Sequence, residues 1–217
     1  MFTTGYEITT AATNVFNAIV TAILAWKVFR DIRPDYRKQL WLTVFFLFFL
    51  ICIFGAVIHG FVMTSEMKST LWNYLFGLLS FMVASFVIAI IYETDGPTNL
   101  LRKSIVVLIL AISYLAIQLL IPTVRRMGFT AFSICATLFF VYAIIKIIAV
   151  RKEKPYTKNF LYGIICLVIG SAAQMMKFIK FHFIYDFNYN SVYHLLTLFL
   201  VLFVYKGLKE AQQYPEP

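Results

Sequence analysis

The chain has 217 residues, 61% hydrophobic and 13% charged, with a formal net charge of +9. A soluble domain holds roughly 45–50% apolar and about 25% charged residues. With a mean hydropathy of +0.82, this composition excludes a soluble globular domain, a disordered chain and a nucleic-acid-binding protein; the basic excess is read first against membrane topology, because Lys and Arg collect in cytoplasmic loops.

A helix that crosses the hydrocarbon needs about 20 mostly apolar residues. The apolar runs here are continuous and do not alternate with period two, which predicts helices and not a barrel. Seven spans follow in chain order, near Ile8–Trp26, Leu40–Phe61, Leu71–Tyr92, Leu101–Ile121, Phe129–Ala149, Asn159–Phe181 and Asn190–Tyr205. The expected fold is an all-α integral membrane protein, one seven-helix transmembrane domain over residues 1–217. Four prolines, Pro34, Pro97, Pro122 and Pro155, fall in the connections, and none sits near the centre of a span.

No basic residue precedes the first apolar run, so the N-terminus does not read as a signal peptide. Assigning the connections to alternate sides puts 14 of the 19 Lys and Arg residues on one side. The other side holds only Lys68, Arg125, Arg126, Lys177 and Lys180. The positive-inside rule then places the N-terminus outside and the C-terminus in the cytoplasm, and a multi-pass protein of the plasma (inner) membrane is expected. Topology accounts for the net charge without a nucleic-acid partner. The three cysteines, Cys52, Cys135 and Cys166, lie within spans and read as small buried hydrophobes.

Polar groups inside a membrane are costly, so their depth is informative. Span one carries Asn14, Asn17 and Thr21 on one face. Span two carries His59, with Gly55 and Cys52 on the same face. Span three opens with Asn73, span four ends near Gln118, and span five begins with Ser133 and Thr137. Span six ends with Ser171 and Gln174, and span seven begins with Asn190, His194 and Thr197. Nearly all of these fall in the outer half, and the inner half reads as almost wholly apolar. The shared level suggests a water-accessible cavity open to the outer face, with Asn14, Asn17, Gly55, Gln118, Gln174 and Thr197 as its pocket residues. The alternative is that these groups bond helix to helix, as Asn, Gln, Ser and Thr commonly do in membranes.

The three histidines, His59, His182 and His194, all fall on the outer side. Imidazole binds metals and serves in acid–base chemistry. Asn190 and His194 are four apart and stack on one helical face, the spacing at which two histidines grip zinc. His182 and Asp186 share that spacing but are expected in a loop, and Glu66 is a further outer-loop carboxylate.

The segments FGAVIHGF (Phe54–Phe61), LWNYLFG (Leu71–Gly77) and FNYNSVYHLL (Phe187–Leu196) resemble the CREST superfamily, which includes the alkaline ceramidases and the progestin/adiponectin receptors. The resemblance implies a zinc ion held by one His from span two and two from span seven. It also implies a Ser one turn before the first of these and an Asp in span three, together supporting hydrolysis of a lipid amide. His59 and His194 match two of the ligands. Asn190 stands at the third, Gly55 at the Ser, and Asn73 nearest the Asp. His182 is the candidate replacement ligand, and Glu66 or Asp186 the candidate general base. Two functions follow as expectations. One is a zinc-dependent hydrolase of a lipid amide or ester. The other is a non-catalytic receptor, sensor or lipid-binding protein that uses the same cavity for a membrane lipid or lipid-like small molecule. The absence of central prolines, internal repeats and buried charge pairs speaks against a transporter.

Overall fold

The structure is a computed structural model and describes residues 1–214. Its helices are α1 (Tyr6–Asp31), α2 (Tyr36–Gly60), α3 (Ser65–Asp95), α4 (Leu100–Leu120), α5 (Pro122–Met127), α6 (Phe129–Val150), α7 (Thr157–Met175) and α8 (Tyr189–Ala211). All but the six-residue α5 are long and apolar enough to cross a membrane. A short antiparallel hairpin, β1 (Lys180–His182) and β2 (Asp186–Asn188), joins α7 to α8.

Local chemistry sets where these helices begin and end. The Asp35 carboxylate accepts from the Lys38 backbone N–H at 2.8 Å and starts α2. The Thr64 hydroxyl accepts from the Met67 N–H at 3.2 Å and starts α3, and the Asn188 side chain accepts from the Ser191 N–H at 3.0 Å and starts α8. Each satisfies one of the orphan donors at a helix N-terminus. Gly96, with φ of 72°, ends α3 just before Pro97. Pro122 occupies the first position of α5, where its missing N–H costs nothing.

Six of the long helices close a ring, with neighbours in the order α1, α2, α3, α6, α7, α8 and back to α1. The remaining one, α4, packs on the outside of α3, and α5 bridges α4 to α6. Thus α3 is the most buried span and α4 the least. The alternation of direction gathers the starts of α1, α3, α6 and α8 with the ends of α2, α4 and α7 on one face, here the N-terminal face. The opposite ends form the C-terminal face. The N-terminal residues tie into the first of these faces, where Thr3 N–H donates to the Gly60 carbonyl and Val62 N–H to the Met1 carbonyl, both at 3.0 Å.

Two expectations need correction. The sixth span ends at Met175 and not near Phe181, because the chain turns into the hairpin. His182 and Asp186, expected in a loop, are cross-strand partners in that hairpin. The half of the bundle toward the C-terminal face is also neither almost wholly apolar nor free of buried charge pairs. Glu93, fully buried near the end of α3, accepts from Arg37 Nε at 3.0 and 3.2 Å, from Trp41 Nε1 at 3.0 Å and from the Tyr156 hydroxyl at 3.1 Å. Lys154 Nζ donates to the Glu93 and Thr94 carbonyls at 2.8 and 3.1 Å, filling acceptors that the end of α3 leaves open. Arg37 lies before the expected start of the second span at Leu40, and Glu93 one residue past the expected end of the third at Tyr92. Both are long side chains at helix termini that turn into the protein, where each satisfies the other.

Candidate histidine site at the N-terminal face

His59 lies in the last turn of α2 and is buried. Its Nδ1 donates to the Glu7 carboxylate of α1 at 2.7 Å, since an ionised carboxylate can only accept. The Thr3 hydroxyl donates to the His59 carbonyl at 2.6 Å. In the neutral ring, Nε2 is then left as the acceptor. The His59 ring stands edge-on to Trp72 of α3, with centroids 5.8 Å apart. It also stands 6.3 Å from the ring of His194 on α8. Two imidazoles from opposite ends of the sequence, 135 positions apart by number (194 − 59), thus meet in one place.

The remaining candidates fall into pairs. Asn17 Nδ2 donates to the His194 carbonyl at 2.6 Å and to the Thr197 hydroxyl oxygen at 3.2 Å. Asn14 Nδ2 donates to the Thr10 carbonyl at 3.0 Å, and its Oδ1 rests against Gly55. Gln174 Nε2 donates to Asn190 Oδ1 at 3.0 Å, joining α7 to α8. Gln118 accepts from the Tyr114 hydroxyl of its own helix at 3.0 Å and bonds to none of the other candidates. Of the expected pocket residues, Asn14, Asn17, Gly55, Gln174 and Thr197 therefore serve helix-to-helix contacts at this face or lie against one. This is the commonest use of such groups in membranes.

Other expected residues lie apart. His182 and Asp186 pair with each other at 3.0 Å on the exposed hairpin. Glu66 is exposed in the first turn of α3. Asn73 lines a cavity of about 480 Å³ with Ser65, Lys68, Ser69, Trp72 and Arg125. Trp72 is the wall between this cavity and His59. Neither Lys68 nor Arg125 makes an ion pair among the described residues; the Lys68 charge acts on the Glu7 carboxylate without touching it, and the cavity holds two cations with no carboxylate in its lining. A catalytic zinc site takes three protein ligands and one open position. His59 and His194 supply two; Asn190 is held by Gln174, and His182 is held by Asp186. Among the described residues no three His, Cys, Asp or Glu side chains form a group that could hold a metal. As arranged, the residues do not fit the expected zinc site.

Sequence reasoning missed Glu7, Trp72, Lys68 and Arg125. Glu7 carried a legible signal: it lies two turns before Asn14 on one helical face, as His59 lies one turn after Gly55. Antiparallel packing of α1 on α2 then sets Asn14 against Gly55 and Glu7 against His59.

The sequence model of a family described as "Family of unknown function (DUF6962)" matches residues 9–213. No curated protein matches the chain.

Proposed function

The chain belongs to the DUF6962 family, and we propose that it is a non-catalytic membrane protein, a receptor or sensor, that binds a lipid-like small molecule with an anionic head at the N-terminal face. The observation that carries this is the cavity in which Lys68 and Arg125 converge beside Trp72 and Asn73. Its volume of about 480 Å³ lies within the range of small-molecule sites, roughly 300–1,000 Å³. Phe76 and Phe129 in the same wall offer an apolar surface to a short acyl chain. The His59–Glu7 pair fixes the ring that backs Trp72, so the indole stands on a rigid support.

In this reading the N-terminal face is outside the plasma (inner) membrane. The basic residues support that orientation, since 14 of 19 cluster toward the other face.

A zinc-dependent lipid hydrolase is the second reading. One observation favours it: a carboxylate on the far nitrogen of an imidazole is the usual outer-shell support of a metal-binding histidine, and Glu7 is so placed on His59. Among the described residues His59 and His194 supply two of the three protein ligands that a catalytic zinc takes.

The test uses Trp72 as the reporter in a Trp26→Phe/Trp41→Phe background. Titrating dodecanoate into the detergent-purified protein should change Trp72 emission saturably. Lys68→Gln with Arg125→Gln should weaken the midpoint at least about tenfold, as loss of two near-surface cations implies. An unchanged midpoint in that variant sinks the proposal. Elemental analysis of the same preparation decides the second reading: about one zinc per chain, lost in His194→Ala, would install it in place of the first.

A further inference from the structure

A groove of about 940 Å³ runs between α4 and α6, with Val87 and Ile91 of α3 in its floor. The 21 residues of α4 extend about 30 Å at 1.5 Å per residue, which matches the hydrocarbon thickness of a bilayer. The walls are apolar over most of that length. Polarity returns at the C-terminal face, where Asn99, Arg102 and Lys103 line the end of the groove. This site is separate from the histidine site and does not rest on the reading above.

We propose that this groove binds one anionic phospholipid, with its acyl chains along α4 and α6 and its phosphate on Arg102. An apolar groove alone does not choose between a lipid and a partner helix; the charge at its end does. Lys103 and Lys146 both pair with the single carboxylate of Asp95, each at 2.6 Å. Arg102 is exposed and makes no ion pair among the described residues. Three cations against one carboxylate leave a net positive charge at the interfacial end of the groove. A guanidinium presents a planar fork of donors that matches phosphate geometry. A second copy of the chain is a poor occupant. In a membrane, a symmetric pair brings Arg102 of each copy to the same level, and like charges at one level oppose association.

The test is native mass spectrometry of the delipidated full chain, given phosphatidylglycerol or phosphatidylcholine of identical acyl composition. The wild type should retain one phosphatidylglycerol in preference to phosphatidylcholine. Arg102→Gln, an exposed change that leaves packing untouched, should cut that preference about fivefold, the worth of one basic residue near an anionic headgroup. Val106→Trp, which fills the groove wall, should reduce retention of both lipids. Equal retention of the two lipids by the wild type overturns the proposal. So does an unchanged preference in Arg102→Gln, or a dimer peak that replaces the lipid adduct.

Discussion

Replacing Glu93 by Gln keeps the side-chain shape and removes a charge to which three side chains donate. Arg37 Nε and the Trp41 and Tyr156 side chains all donate to this carboxylate, and the Arg37 and Glu93 side chains are 3% and 0% exposed. The variant strands the Arg37 guanidinium as a buried charge without a counterion. Breaking a buried pair from one side costs about 3–5 kcal/mol, whereas replacing both partners by uncharged groups is often close to neutral. Glu93→Gln is thus expected to lose about 3–5 kcal/mol of unfolding free energy. Arg37→Met should lose less, because the stranded carboxyl can take up a proton. The double variant should be more stable than Glu93→Gln alone, with a coupling on the order of 2 kcal/mol. Dodecyl sulfate titration of the detergent-purified protein, followed by far-ultraviolet circular dichroism, gives all four free energies. If the two single costs simply add in the double variant, the cluster is not a mutually compensated pair and the reasoning fails.

Gly55→Ser restores the residue type that the CREST resemblance expects, but any Cβ there would lie 2.6 Å from Asn14 Oδ1. A cost of about 1–3 kcal/mol is expected from overpacking, relieved when Asn14→Ala is added; the same titration checks both. Asn17→Ala removes donors to His194 and Thr197 and should cost about 0.5–2 kcal/mol, the usual worth of a side-chain bond between membrane helices. Asp186→Ala should change stability by less than about 0.5 kcal/mol, because its partner His182 is exposed; a larger loss would show that the hairpin holds more than itself. Tyr156 supplies a pH dependence. Burial, with the Glu93 charge next, raises its phenol above the ordinary tyrosine value. The fold therefore favours the protonated phenol. Its contribution is whole below the unfolded value of about 10 and is lost as pH rises past it. Tyr156→Phe should lose stability less steeply than wild type above about pH 10; parallel slopes in thermal unfolding would count against this.

The seven spans were legible because burial in lipid imposes a length and an apolarity that sequence carries directly. Their ends were less so. Phe178, Ile179 and Phe181 continue the apolar stretch past Met175, and Lys177 and Lys180 between them suit the interfacial end of a helix as well as an exposed hairpin. Glu93 escaped for the opposite reason. A charge next to a span end reads as a loop residue, and only the third dimension shows α2, α3 and the start of α7 converging on it.

The histidine site shows the same division at a finer scale. Periodicity placed His59 and His194 on inward faces, and they do meet. It could not say what each polar group bonds. Asn17, Asn190 and Gln174 share a depth with the histidines because antiparallel helices packed closely at one end each need a polar tie there. A common level of polar residues is therefore as much the signature of a tied bundle end as of an open cavity. What distinguishes the two is where charge converges: around His194 and Asn190 the ties are made by neutral amides and hydroxyls, with Asn17 Oδ1 and Gln174 Oε1 left without a partner among the described residues, while Lys68 and Arg125 meet beside Trp72 without an ion pair among the described residues.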